Sequence, residues 1–523
     1  MFSFAISKSE RNALFHRRET MATRMFLNGG VYSMADSGRL DARVEGLTID
    51  PVDGRVLAVG PQCGPVAASD VLQLPAGAVI VPGLHDRHTH WLFALFANAV
   101  VLGGVKTLAE AAARIEAQLA EQATGWVVAT GWNTGLLPAG LLTQSWLDSI
   151  VKGRKAIIFD QSFHGALISS TLAKEIVSKF PREAIGSYHD GVIHEQYVML
   201  AMAWMELDDW TLKAALLQRQ IIMGRVGFTR ITDMGVMGFP LLHALQDIYR
   251  RGLMILPCDF AVQPWMLRED PLLSATSASV LHFQLRWLKE FADGAFGNRL
   301  ACMCGHHRYS DGQGGKLLLD ERRYVDDVLL ARERGIDQFA IHCIGCAACE
   351  AASTAFGTVM QRLNGESSGC TFSFEHFETV HPKLIEHVAR LQRAHVRIEV
   401  CSQPGFLSDL TDYTDRLAAH VMARINPYGD FRKEGLAWRA GTDGAITGDD
   451  PWGGMALAVN RGGEQTITVP EIMGTFIDAP LAVNGPATFL ILDRDPFAHL
   501  EQLGQVQVLE TWIEGRMVFH RRN

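Results

Sequence analysis

The chain has 523 residues, 48 % of them hydrophobic and 20 % charged, which supplies a large core and excludes wholesale disorder. Lysine and arginine number 48 against 57 acidic residues, a net charge of −9, which excludes the basic balance of a nucleic-acid or anionic-membrane binder. No apolar run reaches the roughly 18 residues of a membrane-spanning helix, and the longest, Trp91 to Gly104, reads as buried core.

Residues 1–23 carry Lys8, Glu10, Arg11, Arg17, Arg18 and Glu19, lack the apolar stretch of a secretory signal, and are expected to form a loose extension. Met21 is a candidate natural start. Residues 24–78 hold short alternating runs such as RVEGLTID and GRVLAVG, broken by Gly, Asp and Pro, which predict antiparallel strands. Residues 485–523 repeat that style in ATFLILDRDP and VQVLETWIEGRMVFHRR. The two ends are therefore expected to build one small β-sandwich.

Residues 79–484 alternate apolar runs with amphipathic stretches, the mark of β/α units. The strand candidates are AVIVPGLHDRHTH, FTRITDMG, LMILPCDFAV, WLKEFADG, QFAIHCIG, TFSFEHF, VRIEVCSQP and LAWRAGTDG. A closed parallel barrel needs that many. About 135 residues separate the first two, far more than one helix requires. GWVVATGW and AIIFDQSFH lie in that gap, which predicts an inserted subdomain at about 92–220 over one end of the barrel. The expected fold is thus α/β: a (β/α)8 TIM-type barrel with a flanking β-sandwich from both termini and a large insertion after the first barrel strand.

Nine cysteines suit a reduced, cytoplasmic setting. Cys343, Cys346 and Cys349 have C-x-x-C-x-x-C spacing without a fourth cysteine, and read as small packed residues rather than cluster ligands. Cys302, Cys304, His306 and His307, in ACMCGHHRYSDG, fit either an extra zinc site or a Gly-rich active-site lid.

The first barrel candidate ends in His85-Asp86-Arg87-His88-Thr89-His90. Alternate residues of a strand face the same way, so His88 and His90 can grip one metal ion from the barrel mouth. Lys289, His342, His376 and Asp443 stand at the ends of later strand candidates, where barrel enzymes collect catalytic groups. Imidazole and carboxylate ligands suit zinc or a similar divalent ion, which lowers the pKa of a bound water from about 15.7 to about 7.

PGLHDRHTH resembles the opening signature of the amidohydrolase superfamily, and most of the chain resembles its amidohydrolase 3 (YtcJ-like) branch. GFTRITDMG, LKEFADGAFGNRLA, IHCIGCAA, FEHFE and GTDGAITGDDP match further motifs of that branch in order. The resemblance implies that His88 and His90 bind the more buried metal, and that His342 and His376 bind a second. It implies that Lys289 bridges the two as a CO2-derived carbamate. If Lys289 is not carboxylated, a mononuclear site is the alternative, with Glu195, in GVIHEQ, as the substitute carboxylate. It also implies that Asp443 is metal-linked and acts as general base, then general acid. One or two zinc ions are expected, with manganese or another divalent ion as the alternative. Trp132, Asn133 and His164 resemble substrate-facing elements, with His164 placed to donate to a carbonyl or oxyanion. Asp233 and Asp293 read as loop holders. Arg299 fits either a substrate carboxylate or a pairing with Asp293. Trp91, Phe93, Phe96, Trp265 and Phe406 read as core or as an aromatic pocket wall.

Two departures carry expectations. His85 replaces an aliphatic residue and reads as packed or as an extra polar contact. The segment between Asn460 and Ala487 is short for the branch, which predicts an altered barrel closure or sheet edge, with an oligomer contact in compensation. The expected activity is hydrolysis of a C–N, amide-type bond other than a peptide bond, in a small organic molecule, by a metal-activated hydroxide. Ester or lactone hydrolysis, deamination, a lyase reaction and a non-catalytic module are the alternatives. The expected partner is a small-molecule substrate, with no nucleic acid or membrane, and a second copy of the chain is a further candidate.

Overall fold

Runs buried on both faces make the parallel strands of the middle region. Gln338–Cys343 and Thr371–His376 each expose only their first residue in part. Near-continuous apolar character of this kind belongs to a sheet covered on both sides. In the computed structural model, eight such strands form one parallel sheet in chain order: Leu84–Thr89, Phe228–Asp233, Cys258–Val262, Phe283–Phe291, Gln338–Cys343, Thr371–His376, Ile398–Ser402 and Arg439–Ala440. All eight coincide with the runs named from sequence. The structure describes residues 23–521 apart from 35–42, 61–69, 97–98, 122–124, 134–135, 138–139, 162, 177–189, 195, 206–208, 306, 364–368, 395–396 and 445. The N-terminal extension, apart from residue 23, and the candidate start at Met21 lie outside the described residues.

The eighth strand comes round beside the first. The Asp443 N–H donates to the His88 carbonyl at 2.6 Å, and Thr89 bridges to Gly444 in parallel. Gly441 permits the approach, because a Cβ there would sit 2.5 Å from the His88 nitrogen. Asp86 fastens the same seam, accepting from the Thr442 N–H at 2.9 Å and from its hydroxyl at 2.5 Å. The short 460–487 segment lies against this closure. It holds a helix, Val469–Phe476, started by a reciprocal Thr468–Glu471 capping box, and Ile477 then bridges to Leu84.

The first strand candidate is two strands. Gly83 divides it, and Val79–Pro82 pairs with Phe489–Leu492 and with Arg24–Val31 instead of entering the barrel. Both ends of the chain supply this second sheet, also of eight strands, and strand pairing makes it one mixed sheet. Phe26 meets Phe489 and Trp512 edge-on, with ring centroids 5.3 and 5.5 Å away, while Phe489 and Trp512 stack. Burying such a ring contributes about 1.5–3 kcal/mol.

A third sheet of five strands lies between the first and second barrel strands. Its order is Val192–His194, Gly165–Ile168, Ala156–Asp160, Val127–Trp132 and Val100–Val101, with a core of its own around Ile115, Val127 and Leu147. The helix Asp209–Val226 packs on the second barrel strand and on the C-terminal strands. Among the described residues no helix is long and apolar enough to cross a membrane.

Candidate metal centre

The period of two in the first strand sorts its polar residues. His88 and His90 face the barrel mouth, while His85 and Arg87 face away toward Asp478, at 3.3 and 2.6 Å. His85 is both packed and polar-bonded: it is 2 % exposed and its Nε2 lies 2.9 Å from the Thr232 hydroxyl. Burial, reinforced by the Arg87 charge, pushes its pKa down to about 3.

At the mouth, Asp443 Oδ1 stands 3.0 Å from His90 Nε2 and 3.7 Å from His88 Nε2. The ligand atoms of these three buried side chains lie within 4.8 Å of one another. The His376 ring is 5.0 Å from that of His88 and 4.3 Å from that of His342, and His164 lies 5.4 Å beyond His342. Lys289 is buried beside them, its Nζ 5.3 Å from the Phe291 ring centre. His376 and Asp443 leave their strands with φ of 72° and 53°, left-handed values that aim both side chains into the mouth at a conformational cost of about 1–3 kcal/mol each.

Electrostatics keep most of these groups in the form a metal takes. Burial depresses His88, His342 and His376, and nearby cationic or imidazole groups add to it. Burial also lowers Lys289, with Glu375 and Asp443 opposing it. Burial would lower His90 too, but the Asp233 and Asp443 carboxylates prevail and hold it at about 9. Burial would raise Asp443, yet His88 and His90 bring it below the usual carboxylate range. His342 Nε2 and His376 Nδ1 are buried without a hydrogen-bond partner, and Asp443 Oδ1 has only the His90 ring beside it. Orphaned lone pairs of this kind, gathered among neutral imidazoles and a carboxylate, suit a divalent cation.

One cavity, open to solvent, is lined by His88, His90, Lys289, His342, His376 and Asp443. Trp132, Asn133 and His164 line it from the five-stranded sheet. The Trp132 indole N–H is engaged by the Leu137 carbonyl at 2.7 Å, so it is the ring that faces inward. Arg299 is the exception among the expected site residues. It does not line the cavity, and it pairs with Asp311 at 2.9 Å and Asp415 at 3.7 Å instead of with Asp293. The guanidinium at the cavity belongs to Arg416. Glu195 lies outside the described residues. Of the aromatic candidates, Phe93 and Phe406 line the cavity, whereas Trp91 is core, its N–H donating to Asp233, and Trp265 packs against Phe239.

Asp233 and Asp293 hold loops. Asp233 accepts from the Trp91 and Gly235 N–H groups, and Asp293 from those of Cys302, Ile344 and Gly345 at 2.7–3.0 Å. Two carboxylates had no role in the sequence reading. Glu375 accepts from His88 Nδ1 at 2.5 Å and from the Ser373 hydroxyl at 2.5 Å, which fixes the tautomer that leaves Nε2 free to ligate. Glu378 lines the cavity 3.8 Å from His376, pushed up to about 8 by burial and by Asp409 and other acids. The FEHFE motif contains both, but only its histidine has a ligand's signature. Cys343 and Cys349 are buried free thiols, as packed residues should be, but Cys346 is joined to Cys304 in a disulfide.

A parallel barrel whose strand ends converge on a cation-ready pocket defines the class of metal-dependent barrel hydrolases. The amidohydrolase family profile matches residues 76–474, and the chain belongs to that family. YtcJ, a candidate amidohydrolase of Bacillus subtilis (strain 168), is 23 % identical over 494 residues, covering 85 % of this chain and 90 % of YtcJ. The fold is shared with an uncharacterized metal-dependent hydrolase from Pyrococcus horikoshii OT3, at 22 % identity and a TM-score of 0.70 over 91 % of this chain and 98 % of that one. Another, from Pyrococcus furiosus, has 21 % identity and a TM-score of 0.68 over 91 % and 100 %.

Proposed function

We propose that this protein is a hydrolase that cleaves a C–N, amide-type bond of a small organic molecule at the barrel mouth. The observation that carries the reading is the convergence of His88, His90, His342, His376 and Asp443 on one cavity, with buried ligand atoms lacking partners. His88, His90 and Asp443 would hold one divalent ion, zinc or manganese. His342 and His376 would hold a second, with Lys289 as a carbamate between them. Bound there, the metal would polarise the scissile carbonyl and make water nucleophilic near neutral pH.

The chain's own residues do the rest. Asp443, ionised and held by His90, takes the proton of the attacking water and passes it to the leaving nitrogen. His164 donates to the carbonyl oxygen as negative charge grows there. Trp132, Phe93 and Phe406 shield the site from bulk water and seat an apolar acyl or ring portion. Membership of the amidohydrolase family supports the hydrolase reading.

A panel of N-acyl, cyclic-amide and ester substrates, with zinc, manganese and bicarbonate varied, tests the bond type. Amide turnover that depends on added metal is expected. Asp443→Asn should keep the metal and lose about 10²–10⁴-fold in kcat. Near-normal turnover by that variant, or hydrolysis confined to esters, would overturn the assignment.

A further inference from the structure

We propose a second metal site, separate from the barrel mouth, in which Cys304, His307, Cys346 and His381 bind one zinc ion once the Cys304–Cys346 disulfide is reduced. Three elements bring these residues together. Cys304 and His307 belong to one turn, closed by the His307 N–H donating to the Cys304 carbonyl at 2.9 Å. Cys346 is the first residue of the helix Cys346–Arg362 after the fifth barrel strand, and His381 caps the helix Pro382–Arg393 after the sixth. One ligand atom from each of the four lies within 4.8 Å of all the others.

The distances suit a tetrahedral ion. Zinc bonds of about 2.3 Å to sulfur and about 2.0–2.1 Å to nitrogen put the two donors roughly 3.6 Å apart. Cys304 Sγ is 3.1 Å from His381 Nε2 and 3.9 Å from His307 Nδ1, on either side of that value. The His307 and His381 rings lie nearly parallel, 12° apart with centroids at 5.2 Å, and both reach the sulfur pair. Two thiolates and two imidazoles form a structural-zinc donor set, and thiolates select zinc over harder ions. Only Cys346 of the four is fully buried, so an ion can enter from solvent.

The chemistry balances. A dithiol reductant gives two electrons and two protons to the disulfide and becomes a disulfide itself, leaving two cysteine thiols. Zinc then displaces their two protons. The loop so fastened includes Ala295, Phe296 and Gly297, which line the catalytic cavity, and its anchors follow His342 and His376 in the chain. Gly345 lets the loop seat closely, since a Cβ there would overlap the Cys302 backbone.

Cobalt(II) titration of the full chain tests this, because a thiolate ligand gives a charge-transfer band that imidazole and carboxylate ligands cannot; Cys401, within 4.8 Å of His88 and Glu375, is a thiol near the barrel-mouth ligands, and the cysteine variants separate its contribution. The dithiol-reduced protein should develop the band, with a saturating intensity of one thiolate-ligated ion per chain, and the oxidised protein should show none. Cys304→Ser and Cys346→Ser should abolish it. His88→Ala, which disables the barrel-mouth metal, should retain it, so failure of this site and failure of the hydrolase reading are separable. A reduced wild-type chain with titratable thiols and no band, or a band that survives Cys304→Ser, would overturn the proposal.

Discussion

Replacing Glu375 by glutamine keeps the shape of the side chain and removes the charge that orients His88. Glu375 is fully buried, and its bond to His88 Nδ1 is 2.5 Å long. Carboxylates that orient a ligating histidine contribute 10–100-fold in metal affinity, about 1.4–2.8 kcal/mol. At a metal concentration about 100 times the wild-type Kd, binding stabilises the fold by about 2.7 kcal/mol. A hundredfold loss brings the same concentration to the variant's Kd, where the increment is about 0.4 kcal/mol. The metal-dependent part of stability should therefore fall by about 2.3 kcal/mol at that limit. Urea midpoints of wild type and Glu375→Gln, each with and without metal, read this difference and cancel any effect on the metal-free fold. A chelator competition gives the affinity independently. An unchanged metal increment together with unchanged chelator resistance would refute the orienting role of Glu375.

Arg299→Ala should leave KM and kcat within a factor of about two and change stability by no more than about 0.5 kcal/mol, because its partners are part-exposed aspartates outside the cavity; a large rise in KM in steady-state assays would return it to the substrate site. Lys289→Met should abolish any bicarbonate stimulation of activity and lower metal content measured by mass spectrometry, and full metal loading in that variant would remove the lysine from the centre. His85, pushed down to about 3, is neutral in the fold but titrates near 6.5 when unfolded, so its contribution is complete above about 6.5 and is lost as pH falls toward about 3. Between pH 6.5 and 5 the metal-free wild type should lose about 1.6 kcal/mol more than His85→Gln does, and parallel urea-midpoint curves for the two would show that His85 carries no such linkage.

The features legible in the sequence are those with a local period. Eight apolar runs, each followed by helix-compatible sequence, announced the barrel, and the H-x-H at the end of the first announced a pair of histidines at the cavity. His342, His376 and Asp443 were legible because each ends an apolar run. Glu375 was not, since its role depends on a contact with His88, 287 residues earlier in the chain. Arg299 misled because a sequence shows an arginine among aspartates without showing which of them it reaches. The left-handed turns at His376 and Asp443 left no trace, as neither residue is glycine. Cys346 looked like a small packed residue because its disulfide partner, Cys304, stands 42 residues earlier on a different loop.

Pairing of Val79–Pro82 with Phe489–Leu492 has a consequence for biosynthesis. The strand that leads directly into the one bearing His88 and His90 gains its second neighbour only after about 400 further residues have been made. At about 5–20 residues per second, ribosomes expose that edge for roughly 20–80 s. During this interval an apolar β-edge is open to mispairing, so yield in a heterologous host should be sensitive to translation speed and to chaperones that cover such edges.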